Sequence, residues 1–344
     1  MRPQGLTPRA RVVAAVLGVW LALAPALSCA DEPPPAPKSK LIEAEFKLGS
    51  WLSTGESKWA HNASMLSSLV GNPTSALTYK DVGTNIIEFG GKVTVSQRVF
   101  LRVDYGVGGM GGGRLTDDDY VSAAGATFYG TSTPGAQLIS RTYSDVNGND
   151  VRYLNVDIGV TLIRLPEQKG QLSAFIGYQN WREAYTATGV TQVVCTAVGT
   201  FCNAAGTVSN SGRTVIANTT TWNSVKIGVE GDYNVWSRLT LGGKVAFIPY
   251  TSLDNRDIHY LRGDLAQNPS FKMTGDGIGV NAEGTASVRL VSTLFFDLGY
   301  RFWYVNVSDG TWQSFSRTGA VSTAQLKELS STRQGITLGL RYSF

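Results

Sequence analysis

The chain has 344 residues, with 30 Lys and Arg against 26 Asp and Glu, 42% hydrophobic residues, 39 Gly, 3 Cys and 2 His. A charged fraction of 16% beside 10% aromatic residues is low in charge for a soluble enzyme and suits a chain with one face turned toward something other than water. Three of the positive charges, Arg2, Arg9 and Arg11, sit in the first 30 residues, so the remainder is too near neutrality for nucleic-acid binding driven by bulk charge, and two His with three Cys argue against a zinc site.

Those three arginines precede an apolar stretch from Val12 to Leu27 that ends in Ser28-Cys29-Ala30. This is the layout of a secretory signal peptide over residues 1–30, with a mature chain expected to begin near Asp31. Acylation at Cys29 is disfavoured, because Ala26 stands where a lipoprotein site usually carries Leu. Residues 31–40, with Pro33-Pro34-Pro35-Ala36-Pro37, read as an extended tether in the periplasm. No later stretch offers the ~18 consecutive apolar residues of a membrane helix. A membrane form of the chain must therefore cross with strands.

Residues 41–344 carry that signal. Leu154, Val156, Ile158, Val160 and Leu162 alternate with Asn155, Asp157, Gly159 and Thr161. Leu294, Phe296, Leu298, Tyr300, Phe302 and Tyr304 alternate with Asp297, Gly299, Arg301 and Trp303, which sets charges on the face a membrane barrel turns inward. Ile336, Leu338, Leu340, Tyr342 and Phe344 run at every second position to a terminal Phe, similar to the carboxy-terminal assembly signal of outer-membrane barrels. Such segments predict ten strands, at 42–51, 84–96, 98–109, 152–164, 171–182, 221–234, 238–249, 276–288, 291–305 and 333–344. The fold expected is an all-β, ten-stranded antiparallel transmembrane β-barrel. Its short turns, near 95–98, 165–170 and 235–237, would be periplasmic, and its long loops, at 52–83, 110–151, 183–220, 250–275 and 306–332, extracellular. Cys195 and Cys202, in the third long loop of an exported chain, are expected to pair and stiffen it.

Four loop segments are candidates for chemistry. In Thr116-Asp117-Asp118-Asp119-Tyr120 the spacing turns Asp117 and Asp119 the same way, where they can share a water or a proton and raise one pKa. Asp257-Ile258-His259-Tyr260 sets a carboxylate beside an imidazole that can take a proton from water. Each of these, taken alone, is a common surface pattern. The glycines of Gly108-Gly109-Met110-Gly111-Gly112-Gly113 lack the Lys and Ser or Thr of a phosphate loop and suit a bend at a barrel rim. Asp145-Val146-Asn147-Gly148-Asn149-Asp150 misplaces the glycine of a calcium loop and reads as a polar turn.

Topology lets the first two segments face each other across the barrel mouth, and here the chain resembles the omptins, outer-membrane endopeptidases of Gram-negative bacteria. The resemblance lies in Asp117-Asp118-Asp119-Tyr120 and Asn255-Arg256-Asp257-Ile258-His259-Tyr260, with further likeness at Leu48-Gly49, Leu77-Thr78-Tyr79-Lys80, Gly177-Tyr178-Gln179 and Leu241-Gly242-Gly243-Lys244. It implies that His259 is a general base oriented by Asp257, that Asp117 and Asp119 position the attacking water, and that no metal or covalent nucleophile takes part. It also implies a pocket for basic side chains, with Glu56 matching one acidic position. Asn255 replaces the other, and neighbouring Asp254 points the opposite way along a strand. Lipopolysaccharide would be an activating lipid held on the outer face by Tyr178 and Arg182, although a further Arg expected near Thr221 is missing. The reading is a monomeric aspartic-type endopeptidase of the bacterial outer membrane with protein or peptide substrates, no nucleic-acid partner and no cofactor beyond that lipid. The alternatives are a non-catalytic adhesin or ligand-binding barrel and a lipid-modifying barrel enzyme, which would want its Ser or His at the membrane edge.

Overall fold

The computed structural model describes residues 41–131, 137–147 and 150–344; the signal segment 1–30, the tether 31–40 and the centre of the Asp145–Asp150 turn lie outside the described residues. Where apolar side chains recur at every second position the backbone forms strand: β1 (Ile42–Asn62), β2 (Val70–Val95), β3 (Val99–Gly111), β4 (Arg114–Val121), β5 (Leu138–Asn147), β6 (Asp150–Arg164) and β7 (Gly170–Cys195). These are followed by β8 (Val208–Trp236), β9 (Leu239–His259), β10 (Phe271–Arg289), β11 (Leu294–Val307), β12 (Gly310–Phe315) and β13 (Val321–Ser343). One short helix, α1 (Ala123–Tyr129), is capped by Ser122, whose hydroxyl accepts from the Gly125 amide.

The strands form one antiparallel sheet that closes in a ring. Pairing runs β1, β2, β3, β6, β7, β8, β9, β10, β11, β13 and returns to β1. The thirteen strands exceed the ten expected because three upper strands are added. β4 and β5 continue the wall between β2 and β7 above the point where β3 and β6 leave it, and β12 fills the wall between β10 and β13. The β3-to-β4 break falls at Gly112 and Gly113, whose φ of 74° and 133° most side chains avoid. This is the rim bend expected of the glycine run.

Side-chain parity separates two faces. Outward stand Phe46, Leu48 and Leu52 of β1, Ile87, Phe89 and Val93 of β2, Ile158 and Val160 of β6, Ile227 and Val229 of β8, Phe247 of β9 and Leu340 and Tyr342 of β13, all large and exposed. They make one apolar belt around the lower half of the ring. Inward stand the aromatic core of Trp51, Tyr153, Trp181, Trp222 and Trp303 and a charged interior. Arg301 of β11 reaches Glu88 of β2, Glu283 of β10 and the Tyr153 hydroxyl of β6, on the far side of the ring. Arg333 of β13, fully buried, binds Glu183 of β7 at 2.7 and 2.8 Å and also donates to Ser53 and Thr84. Below these crossings lies a cavity of about 410 Å³, lined among others by Lys47, Asp104, Glu230, Lys244, Asp297 and Arg341.

Most of what the sequence suggested as long loops is strand. β1 and β2 continue to Asn62 and from Val70, and β7 and β8 to Cys195 and from Val208. Above the belt the outer face has no apolar requirement, so alternation fades while Thr and Val keep the strand preference, as in Val208–Thr221. Cys195 and Cys202 are joined, closing the turn after β7.

Candidate active site at the mouth of the ring

β4 carries the acidic run upward from the rim. Leu115 points into the core, so Asp117 and Asp119 share its inward face while Asp118 turns outward and is clamped by Arg141 at 2.6 and 2.7 Å. The Ser75 hydroxyl on β2 donates to Asp117 at 3.4 Å. On β9 the inward positions are Leu253, Asn255, Asp257 and His259. Asp257 is fully buried, and its Oδ2 lies 3.1 Å from His259 Nε2. The ring of Phe271 on β10 stands edge-on to the imidazole at 4.8 Å, and the His259 amide donates to the Ser270 hydroxyl at 3.0 Å. Asp257 lies seven positions beyond Tyr250, the last exposed large apolar residue of β9, so at about 3.3 Å per residue it stands roughly 23 Å along the strand above the belt.

The two pairs act on one another. Burial and then Asp119 push the Asp117 carboxyl up to about 8, against the opposing charge of His259. Burial likewise raises Asp119, with Ser75 and His259 pulling it back. Burial alone would lower His259, but the charge and hydrogen bond of Asp257, with Asp117 beyond, raise it above its ordinary 6.5. A raised carboxyl at Asp117 acting on a raised imidazole at His259 gives two groups between which a proton can move. Arg262, which chelates Asp264 at 2.7 and 2.8 Å, adds a cation that acts on both Asp117 and Asp119.

Two residues of this region escape sequence reasoning. His61, the other histidine of the chain, points inward from the end of β1 and stacks flat on Trp312 of β12, with centroids 4.1 Å apart and rings 4° from parallel. Trp312 stacks in turn on Phe271 at 5.0 Å, so one aromatic wall joins the two imidazoles. Burial, with His259 adding, pulls His61 down to about 3 and leaves it uncharged. Tyr79 of β2 lies against Tyr185 at 4.5 Å with its hydroxyl buried and unpartnered, and the charges of Asp257 and Asp117 both act on it. Asp257 Oδ1 is also buried without a partner. One donor and one acceptor at the site are thus each unmet among the described residues.

The binding residues suggested by resemblance fare differently. Trp51, Ser53, Ser57, Trp59 and His61 face inward on β1, which puts Glu56 on the outer face beside Lys58; Ser57 occupies the inward place. Glu56 therefore does not line the mouth, a correction that follows from the strand period of two. Asn255 does line it, but its amide is engaged with Asn218 at 2.9 and 3.2 Å and Thr220 at 2.6 Å. Asp254 points outward to Arg256 at 3.3 Å and Lys272 at 3.6 Å and cannot stand in for an inward carboxylate. Tyr178 and Arg182 share the outer face of β7, where Tyr178 donates to Asn223 at 2.7 Å and Arg182 grips Asp150 at 2.7 and 2.8 Å. Thr221 is the direct neighbour of Arg182 on β8.

No family model and no curated protein matches the chain. Among solved structures it is similar to the outer membrane protease OmpT from Escherichia coli, with a TM-score of 0.70 at 16% identity over 88% of this chain and 97% of that one. Looser matches are the translocator domain of the autotransporter NalP from Neisseria meningitidis, with a TM-score of 0.34 at 10% identity over 98% of this chain and 95% of that one, and a FadL homologue from Pseudomonas aeruginosa, at 0.29 and 9% over 88% and 90%. The first likeness is one of fold: the closed antiparallel sheet of this chain is shared with that protein.

Proposed function

We propose that the chain is an outer-membrane endopeptidase, a β-barrel whose apolar belt sits in the bilayer and whose mouth, on the extracellular side, hydrolyses peptide bonds. The observation that carries this reading is the Asp257–His259 pair, with the imidazole 3.1 Å from a fully buried carboxylate and within the field of Asp117 and Asp119. His259 takes the proton of a water that Asp117 and Asp119 help to hold, Asp257 stabilises the imidazolium that forms, and the shared proton of the acid pair neutralises charge on the tetrahedral intermediate. Lipopolysaccharide on the outer face near Tyr178 and Arg182 belongs to the same proposal, as an activating lipid. The test is incubation of the purified, detergent-refolded full chain with a mixed peptide library, with and without lipopolysaccharide. Cleavage supports the reading; intact peptides under both conditions favour a binding barrel.

Hydrolysis needs His259 neutral, so the rate falls as pH drops through its pKa. Because Asp257 and Asp117 raise that pKa, the acid limb of the kcat/KM profile is expected above 6.5 rather than at it. An acid limb below 6 would contradict the assignment. Tyr79→Phe removes a buried, unpartnered phenol in the field of Asp257, whose Oδ1 is likewise unpartnered among the described residues, and we assign it as a donor to that carboxylate. Losing a hydrogen bond to a charged group is expected to lower the rate about tenfold. With one donor fewer beside it, the negative charge of Asp257 should hold the imidazole's proton harder, moving the acid limb further up. An unchanged profile in a folded Tyr79→Phe variant would make Tyr79 a packing residue only.

A further inference from the structure

We propose that the subsite beside the scissile bond selects an uncharged aromatic or long aliphatic side chain; this rests on the endopeptidase reading above. The wall that runs from the acid pair to the acid-base pair is built from rings: Trp59 and His61 on β1, Trp312 on β12 and Phe271 on β10. Met273 and Leu326 close it behind. None of these groups carries charge. Apart from Asp117, Asp119 and Asp257, which the reaction itself uses, the carboxylates near this wall are spent elsewhere. Glu56 is on the outer face, Asp254 is tied to Arg256 and Lys272, and Glu328 to Lys58 at 3.1 Å. Asn255 offers an amide already shared with Asn218 and Thr220.

A lysine or arginine side chain entering this wall would leave water without a partner, which buried charges do not tolerate. It would also be repelled by Arg262, the cation whose charge acts on Asp117 and Asp119. An aromatic side chain, by contrast, continues the His61–Trp312–Phe271 stack in offset or edge contact. A second observation points to a ligand at the same wall. The ring nitrogens Trp59 Nε1, His61 Nδ1 and Trp312 Nε1 are buried with no hydrogen-bond partner. The two indole N–H groups are donors and His61 Nδ1 is a donor or an acceptor by tautomer, so a peptide carbonyl or a tyrosine hydroxyl can satisfy them.

The experiment is a degenerate peptide library digested by the refolded full chain in lipopolysaccharide-containing detergent, with cut sites read by mass spectrometry. Phe, Tyr, Trp, Leu and Met flanking the cut at least tenfold over Arg and Lys is the expected result. Cuts beside Arg or Lys would overturn this proposal and leave the endopeptidase standing; no cutting at all would remove both. Two variants sharpen the comparison. Asn255→Asp, which returns an inward carboxylate, should raise cleavage beside Arg about tenfold relative to Phe. Trp312→Leu keeps an apolar side chain but removes the central ring, and should lower kcat/KM for a Phe peptide about tenfold more than for its Leu counterpart. Equal losses for the two peptides would show that Trp312 only holds the wall together.

Discussion

His259→Ala is expected to slow peptide cleavage at least a hundredfold while the ring still assembles, the scale of loss when a positioned base is removed. The side chain contacts Asp257 of its own strand and Phe271 of β10, but β9 and β10 are joined by their backbone ladder, so the fold should survive its loss. Asp117→Asn should give a loss of similar size, because the amide can neither share the proton that the carboxyl holds up to about 8 nor accept it in turn. Heat-modifiable gel mobility reports assembly, and initial rates on one good peptide report the chemistry. Near-normal rates in both variants would move the protein to the class of adhesins or ligand-binding barrels.

The second large effect concerns folding. Arg333 and Glu183 are both fully buried and meet across the ring, between β13 and β7. Removing one partner strands the other as an unpaired charge, so Arg333→Met or Glu183→Leu is expected to destabilise the protein by about 3–5 kcal/mol. Arg333→Met combined with Glu183→Leu should recover most of that, because two apolar side chains carry no desolvation penalty. Urea unfolding in detergent measures the three variants. A double variant as unstable as either single one would show that the bonds from Arg333 to Ser53 and Thr84, rather than the ion pair, hold this layer.

Sequence reveals the lower half of the ring and little of the upper. In the belt, lipid-facing positions must be apolar and inward ones polar or small, so the period of two is written plainly. The turns at 96–98 and 165–169 fall where it stops. Above the belt both faces of a strand meet water or protein, and β4, β5 and β12 lack the alternation that marked the others. The two pairs Asp117/Asp119 and Asp257/His259 were visible because each lies within one short segment. His61 was not, since its partner Trp312 is about 250 positions away and only strand register unites them. The outward place of Glu56 is also legible in the sequence. Counting from the inward Trp51, five positions reverse the face, the same parity argument that separates Asp254 from Asn255.

The side chains that meet across the ring also bear on permeability. Arg301 joins β11 to β2 and β6, and Arg333 joins β13 to β7, so the charged groups that cross the interior neutralise one another instead of lining a path. Hydrated ions entering the 410 Å³ space below find fixed ion pairs above them. Under the outer-membrane reading proposed above, a membrane carrying many copies would keep its electrical resistance.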